Sequence, residues 1–595
     1  MRNILFSLLL LLLPFSSNAG NEPFMANATG RNKLMLNGEW SVIVDPYDRG
    51  SKQHFEKNRK PVGNTDFFEY SFEDARRLTV PGDWNSQVPE LQYYEGTVWY
   101  GRHLYETPTD GVRQFLYFAG VSNRCKVYLN GVRIATHEGA FLPFQVEITK
   151  ALRSDGDNFL VVEVNNRRSE NAIPALDFDW WNYGGITRDV MLVRTPEEFI
   201  SDYFLSVSRT DNRKIDVNVS LSNPAVKEVK VEIPELNLSR TVSTDAKGTA
   251  SFSFTARRID LWSPESPKLY DVILQCGDDV LKDRIGFRAL SVDGTKILLN
   301  GKPIFAKSVS FHEENPKRGG RACTKEDAEY LLGEARKIGA NMVRLAHYPQ
   351  NEHIIRLAEE LGIMLWEEIP LWQKIKFSDE GTLKLAMKMF SDMQYRDRNR
   401  CSVCFWGLAN ETTPGKERNT FLTTIHDMAK TIDTTRLFTI ADNAANYDPK
   451  TGRMEMEDPL VDIVDVVSIN KYIGWYAKWE KAPNDLPWNI APGKPVIVSE
   501  FGGEAVFGQR GDENKVSSWS EDSQAKIYRD NLATFANIKN LAGISPWLLF
   551  DYRTPRRMHP VFQNGWNRKG MISEKGEYKK SWYIIHDYYT SGGER

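Results

Sequence analysis

Two glutamates that follow short apolar runs are the residues of this sequence best placed to carry out chemistry. Glu411 follows an aromatic-rich run within WGLANET (residues 406–412), and Glu500 follows another within PVIVSEFGG (residues 495–503). Two carboxyl groups roughly 5 to 5.5 Å apart can hydrolyse a glycoside by double displacement. One attacks the anomeric carbon, while the other protonates the departing oxygen and later activates water. Such a pair needs different acidities, with the nucleophile ionised and the acid protonated.

The elements that would position these glutamates form the pattern of a (β/α)8 TIM barrel, from about residue 291 onward. Apolar, strand-like runs alternate there with helix-length amphipathic segments, of which residues 326–338 and 352–361 are the clearest. Chemistry in this fold collects at the carboxyl ends of the strands, and Glu411 and Glu500 end the fourth and seventh runs. The eight runs are residues 304–311, 342–346, 363–366, 403–408, 437–440, 464–469, 495–498 and 544–550.

Other acids also lie near the ends of these runs. Glu367 and Glu368 close the third run, and Glu504 follows Glu500 closely. Barrel geometry favours Glu411 with Glu500 but leaves other pairings open.

The chain before the barrel has the pattern of two all-β domains. From about residue 30 to 195, short strand-like runs are separated by turns such as Asn130-Gly131, as in an antiparallel sandwich. A further stretch of about 95 residues has the size and strand spacing of an immunoglobulin-like sandwich. A chain of 595 residues is too long for one core, which agrees with several domains.

Composition limits the partners and cofactors. The net charge of −3 argues against a nucleic-acid partner held by a basic field. The 16 Trp and 23 Tyr suit carbohydrate binding, although tryptophan is also a common core residue. The histidines show no HxxH or HExxH spacing, so we expect no metal site and no cofactor. Five cysteines are too few and odd in number for a disulfide framework in an exported chain.

The first residues have the pattern of a secretory signal peptide. Arg2 precedes an apolar run over residues 4–15, and small residues then offer a cleavage site after Ala19. The run is too short for a membrane span, and no later run approaches that length. We therefore expect residues 1–19 to be removed and the mature protein to be secreted or periplasmic.

Several stretches, in this order, resemble glycoside hydrolase family 2, the family of β-galactosidases, β-glucuronidases and β-mannosidases. They are VPGDW (residues 80–84), NYGGI (182–186), RLAHYP (344–349), WGLANET and SEFG (499–502). The resemblance covers nearly the whole mature chain and implies three domains, in agreement with the strand pattern. These are a jelly-roll β-sandwich that binds sugar (residues 20–195), an immunoglobulin-like β-sandwich (196–290) and a catalytic C-terminal TIM barrel (291–595).

The resemblance also implies roles for individual residues. Glu411 would be the general acid/base, Glu500 the nucleophile, and Asn410 would hydrogen-bond the sugar 2-hydroxyl in the transition state. Residues at other run ends have an open role, because they either contact the sugar and order the carboxylates or belong to the scaffold. These are His312, Arg344, His347 and Trp547.

A basic turn near the end of the chain bears on the choice of sugar. In GWNRKG (residues 565–570), Asn567-x-Lys569 resembles the pair with which β-glucuronidases bind the substrate carboxylate. An adjacent ammonium and amide can hold an anionic C6 group through charge-assisted hydrogen bonds. The alternative is a plain basic turn that closes the last barrel loop. Glucuronidases often carry an arginine just before this pair, whereas here Gln563 is near that position and Arg556 or Arg557 could replace it.

Two further stretches are similar to glucuronidase segments. NKYIGWY (residues 470–476) resembles one whose tyrosines face the nucleophile and the carboxylate, which implicates Asn470, Tyr472 and Tyr476. FDWWNYGG (residues 178–185) resembles a jelly-roll loop that places an aspartate in the active site, here Asp179.

Together these features predict a secreted, exo-acting, retaining β-hexuronidase of the β-glucuronidase type, with a carbohydrate substrate. A β-galacturonidase and a β-galactosidase on a neutral sugar remain alternatives of the same class. A non-catalytic carbohydrate-binding protein on a degenerate barrel is an alternative of another class, disfavoured because both carboxylates are present. The oligomeric state, including a homo-oligomer, is left open.

Overall fold

The computed structural model describes residues 25–60, 63–65, 70–209 and 211–591. The predicted signal peptide, residues 1–19, lies outside the described residues. Within them, no helix combines the length and the apolar character needed to cross a membrane.

The N-terminal domain is a sandwich of two antiparallel sheets, as predicted. Its core contains Trp40, Leu116 and Val162, which are fully buried between the sheets. One sheet contains, in spatial order, Lys33–Met35, Val190–Pro196, Val112–Phe118 and Phe144–Glu147. The other contains Arg76–Val80, Gly38–Asp45, Thr97–Tyr105, Asp157–Asn165, Arg124–Leu129 and Val132–Glu138.

The second domain is a smaller sandwich of three and four strands, which confirms the predicted immunoglobulin-like architecture. Alternate residues of its strands, such as Val217, Val231 and Leu274, fill a separate core. Its three-stranded sheet contains Ile200–Val207, Lys214–Leu221 and Thr249–Thr255. Its four-stranded sheet contains Leu238–Ser243, Glu228–Ile233, Tyr270–Cys276 and Asp279–Ile285.

A three-stranded meander, Leu290–Asp293, Lys296–Leu299 and Lys302–Ile304, leads into the barrel. Its apolar residues, including Leu299, pack in one cluster with residues that begin barrel strands, such as Met342 and Met364. The amino-terminal end of the barrel is therefore covered, and the site can form at the other end.

The C-terminal domain is a closed barrel of eight parallel strands, which confirms the predicted fold. The prediction for the eighth strand is wrong, since the strand spans Leu541–Ile544 and not residues 544–550. Gly543 allows it to approach Ala306 closely, and such small residues give little apolar signal. We number the barrel strands 1 to 8: Ala306–Phe311, Met342–Leu345, Met364–Glu368, Val403–Asn410, Leu437–Asp442, Val466–Asn470, Val496–Glu500 and Leu541–Ile544.

The expected alternation of strands and helices is interrupted after barrel strands 5 and 6. In the described part of the chain these connections contain no α-helix. They contain the short 3-10 turns Pro459–Asp462 and Pro483–Asp485 and a small sheet of Asn446–Asp448, Arg453–Glu455 and Trp488–Asn489. Proline, glycine and asparagine are frequent in both connections, which disfavours helix. The other strands are followed by Lys325–Lys337, Glu352–Leu361, Glu380–Asp397, Lys416–Ile432, Glu521–Phe535 and Lys580–Thr590.

A buried polar cluster fixes the N-terminal domain against the barrel. Arg188 of the sandwich and Arg321 of the barrel domain lie 3.1 and 3.0 Å from the carboxylate of Glu313. Asp83, from the VPGDW stretch, caps the short helix Trp84–Gln87 and also accepts a hydrogen bond of 3.1 Å from the backbone of Arg321. These contacts bring a loop of the sandwich to the mouth of the barrel.

Candidate active site

Glu411 and Glu500 line one pocket of about 460 Å³ at the carboxyl ends of the barrel strands. Glu500 is the last residue of barrel strand 7, and Glu411 immediately follows barrel strand 4. Glu411 has a φ of +50°, a left-handed conformation that is unfavourable for a glutamate. Strain of this kind is retained where the surrounding structure requires the side chain in one place.

The carboxylate of Glu500 is held by three side chains. Arg344 donates to its Oε1 at 2.7 Å, Tyr472 donates to its Oε2 at 2.6 Å, and His347 Nε2 lies 3.9 Å from Oε1. Burial raises the pKa of Glu500, and the nearby charge of Glu411 raises it further, while these three neighbours oppose the rise. The donors therefore stabilise the ionised form that a nucleophile requires.

Arg344 is fully buried behind the pocket and orients several of the other polar groups. It donates to both oxygens of Glu368, at 2.9 and 3.2 Å, and at 2.8 Å to Oδ1 of Asn410. Glu368 also contacts His347 Nδ1 at 2.8 Å, whereas Glu367, on the opposite face of the strand, pairs with Arg396. Neither acid lines the pocket, so neither replaces Glu411 or Glu500 there.

Two amides hold the carboxylate of Glu411. Asn470 donates to its Oε1 at 3.0 Å, and Gln373 donates to its Oε2 at 3.0 Å. Asn470 also donates to Oδ1 of Asn410 at 3.1 Å, while Nδ2 of Asn410 is buried with no hydrogen-bond partner among the described residues. A buried donor without a partner is costly, and a ligand oxygen could satisfy it.

Lys569, Asn567 and Arg557, which we call the cationic group, line another part of the pocket. The Lys569 side chain is 2% exposed, and its ammonium donates to the Tyr476 hydroxyl at 2.8 Å. Asn567 donates to the Tyr552 hydroxyl at 2.9 Å and accepts from the backbone of Lys569 at 3.1 Å. The Asn-x-Lys turn thus places its amide and its ammonium at the same pocket.

Glu504 lies behind Lys569 and fixes it. Its Oε1 is 3.4 Å from the ammonium, and its Oε2 accepts from Gln563 and from the backbone of Arg568, both at 3.0 Å. Burial favours the neutral acid, but Lys569, Arg557 and the hydrogen bonds from Gln563 and the Arg568 backbone together outweigh it and lower the pKa of Glu504. Gln563, which stands near the expected arginine position, therefore binds Glu504 instead.

Asp179 reaches the pocket from the N-terminal sandwich. Arg557 donates to its Oδ2 at 2.6 Å, and Thr554 donates to its Oδ1 at 2.8 Å. Arg557 also donates to the Tyr476 hydroxyl at 3.1 Å, so Tyr476 accepts from both Arg557 and Lys569. The pocket is thus completed by a loop from a second domain.

Aromatic rings form the wall beside Glu500. Trp547 lies in the loop after barrel strand 8 and stacks on His347, with ring centroids 4.8 Å apart. His312 packs beneath this wall, 4.2 Å from the ring of Tyr552. Burial, reinforced by the nearby cations, lowers the pKa of His312 well below its ordinary value, so the ring is neutral.

The structure brings most of the predicted site residues to this pocket. Three of them, His312, Arg344 and Asn410, do not line it but lie immediately behind it. The predicted residues that line it are Asp179, His347, Glu411, Asn470, Tyr472, Tyr476, Glu500, Trp547, Asn567 and Lys569. Lining residues that the sequence interpretation missed or left open are Trp372, Gln373, Asn443, Lys471, Ala477, Tyr552, Arg556 and Arg557.

Family models match almost the whole chain. The glycosyl hydrolase family 2 sugar-binding domain matches residues 34–196, the central family 2 domain matches residues 198–288, and the family 2 TIM-barrel domain matches residues 290–585. The chain belongs to glycosyl hydrolase family 2. It is therefore a glycoside hydrolase that acts on O-glycosyl bonds.

Named relatives of this family 2 enzyme include two bacterial proteins. A putative beta-glucuronidase of Formosa agariphila is 26% identical over 94% of the chain and 70% of its own length. A beta-glucuronidase of Paenibacillus borealis is 25% identical over 94% of the chain and 97% of its own length. A solved beta-glucuronidase structure from an uncultured Clostridium sp. has a TM-score of 0.80 at 25% identity and covers 96% of this chain and 99% of that one.

The missed residues of the family 2 site have weak sequence signals. Gln373 and Arg557 lie in long loops several residues from the end of a barrel strand, where residue spacing does not predict which way a side chain points. Tyr552 and Trp372 read as core aromatics in apolar segments. Groups of three or more His, Cys, Asp or Glu that could hold a metal ion do not occur among the described residues.

Proposed function

We propose that this enzyme is an exo-acting, retaining β-hexuronidase that removes a terminal β-linked, glucuronate-like sugar. The observation that carries the proposal is the cationic group formed by Lys569, Asn567 and Arg557 in the same pocket as Glu411 and Glu500. A neutral hexose needs no buried ammonium at its C6 group, whereas the carboxylate of a hexuronate would accept a charge-assisted hydrogen bond from it. The relatives named beta-glucuronidase support the same substrate class.

In the first step, an oxygen of Glu500 bonds to the anomeric carbon as the bond from that carbon to the leaving oxygen breaks. Glu411 gives its proton to the leaving oxygen, so the aglycone departs as a neutral alcohol. Arg344 and Tyr472 keep Glu500 ionised before attack and fix its orientation.

In the second step, Glu411 acts as a base. It takes a proton from water, the water oxygen bonds to the anomeric carbon, and the bond to Glu500 breaks. Asn470 and Gln373 contact both oxygens of Glu411 and hold it through both steps. The two displacements together release the sugar with its anomeric configuration retained.

The burial of the cationic group supports exo-action. Lys569 and Asn567 are 1% and 0% exposed as whole residues, and Glu504 is buried behind the ammonium. A polymer cannot pass beyond a carboxylate held there, so the bound sugar is the terminal unit.

A panel of aryl β-glycosides that differ only at C4 and C6 tests the proposal. The panel contains the glucuronide, galacturonide, glucoside and galactoside of one phenol. We expect kcat/KM for a uronide to exceed that for the matching neutral glycoside by at least tenfold. Equal or better turnover of a neutral glycoside would overturn the uronate assignment, and product analysis by NMR at early times checks retention.

We also propose that the enzyme is secreted or periplasmic after cleavage of residues 1–19. The apolar run over residues 4–15, followed by small residues, supports this. Mass spectrometry of the N-terminus of protein from the native host should find Gly20 first, and a retained Met1 in the mature protein would refute the proposal.

A further inference from the structure

The part of the pocket around Glu411 has a composition of its own. In the proposed function Glu411 protonates the leaving oxygen, so the groups around it face the leaving group. Trp372, Gln373 and Asn443 line the pocket from the loops after barrel strands 3 and 5, and Lys471 and Arg556 line it from the loops after strands 6 and 8.

Trp372 and Gln373 are fixed beside the acid by the backbone. The segment pairs with the end of barrel strand 4, since Asn410 donates to the carbonyl of Leu371 and Gln373 donates to the carbonyl of Asn410, both at 2.9 Å. Gln373 has a φ of +47°, and its side chain donates to Glu411 at 3.0 Å. The position of the indole relative to the acid is therefore determined by main-chain hydrogen bonds.

Arg556 completes this part of the pocket from the last barrel loop. Its guanidinium carbon lies 5.5 Å from the centre of the Trp372 ring, and its Nε lies 3.5 Å from Asp177. The side chain is 39% exposed, so its remaining N–H groups are open to a ligand. Trp372 is 6% exposed, so the part of its indole that lines the pocket offers a small apolar surface beside the N–H donors of Arg556.

This combination matches a sugar ring better than an apolar aglycone. A sugar presents C–H groups to an aromatic ring and hydroxyl oxygens to N–H donors. The lining residues other than Trp372 are amides and cations, which an apolar group would desolvate without replacing their hydrogen bonds. Lys471 already donates to the carbonyl of Ala445, so its main contribution to the pocket is its positive charge.

We propose that Trp372, Gln373 and Arg556 form a leaving-group subsite that binds a sugar unit, so the substrate is a glycan that ends in a β-linked hexuronate. This proposal rests on the proposed function for the identity of the terminal sugar. It adds that the second unit contributes binding energy that a simple phenol does not.

The test compares a disaccharide, a hexuronate β-linked to a neutral hexose, with an aryl β-hexuronide. Arg556→Ala should lower kcat/KM for the disaccharide about tenfold more than for the aryl uronide. Trp372→Phe should act in the same direction, because the smaller ring loses contact area and part of the cation–π interaction. Arg529→Ala is the matched control, since Arg529 is 53% exposed and pairs with Glu513 outside the pocket.

The outcomes separate the two proposals. Equal losses on both substrates would overturn the subsite, because the residues would then act only on the shared catalytic step. The subsite would also be overturned if the KM of the wild-type enzyme for the disaccharide were equal to or higher than its KM for the glucuronide of an apolar alcohol. Failure of the wild-type enzyme on the aryl uronide itself would instead refute the hexuronidase proposal.

Discussion

The substitution Lys569→Met tests the substrate assignment most directly. Methionine keeps the length of the side chain among the rings of Tyr472, Trp475 and Tyr476, but removes the ammonium. A uronide then loses a charge-assisted hydrogen bond in a buried site. Truncating one partner of a buried charge pair costs about 2 to 4 kcal/mol. At 1.36 kcal/mol per tenfold change, kcat/KM for the uronide should fall about 30- to 1,000-fold.

The matching neutral glycoside provides the comparison. Its hydroxymethyl group loses only a hydrogen bond from the ammonium to an uncharged acceptor, so its loss should be clearly smaller than that of the uronide. Initial rates with a chromogenic β-glucuronide and β-glucoside, measured at several concentrations, give both values of kcat/KM. Melting curves of the variant exclude unfolding as the cause of any loss.

Two results would refute the reasoning about Lys569. An equal fractional loss on both substrates would mean that the ammonium only supports the structure through Glu504. No loss on either would mean that the substrate carboxylate binds elsewhere. Lys526→Met serves as the control, because Lys526 is 32% exposed and pairs with Asp530 on a helix outside the pocket.

Three further predictions concern the carboxylates and their supports. Glu500→Gln should abolish turnover, while Glu411→Gln should retain more activity on aryl glycosides with good leaving groups, which need less protonation; equal activity of both variants on all aglycones would contradict these roles. Arg344→Gln removes a cation that lowers the pKa of Glu500, so the acid limb of the kcat/KM profile should move to higher pH, and an unmoved or lower limb would count against the contact. Arg188→Met leaves the buried Glu313 without one of its two arginines and should lower the free energy of unfolding by about 3 kcal/mol in a denaturant titration, whereas an unchanged stability would show that Arg321 suffices.

The fold and the positions of the two carboxylates could be predicted from the sequence for one reason. A buried parallel strand is a continuous apolar run, and the first acid after it lies at the carboxyl end of the barrel. This rule places Glu411 and Glu500 correctly in one pocket. It fails for barrel strand 8, because Gly543 weakens the apolar signal of the strand and residues 547–550 are apolar and buried although they follow it.

The remaining features depend on contacts between distant segments. Arg344 is the next-to-last residue of barrel strand 2, but its contacts with Glu368, Asn410 and Glu500 join three other strands, and sequence spacing does not predict them. Arg557 is one of several arginines in a long loop, and only its position beside Asp179 distinguishes it. In the connections after barrel strands 5 and 6, packed loop residues take the place of the expected amphipathic helix.

The contact between Asp179 and Arg557 joins two domains across the mouth of the pocket. The aspartate therefore remains in place only while the N-terminal sandwich stays docked on the barrel. An excised barrel would keep Glu411 and Glu500 yet lack one wall of the pocket that they line. Transplanting the FDWW loop (residues 178–181) between related enzymes should consequently alter sugar preference without any change to the catalytic domain itself.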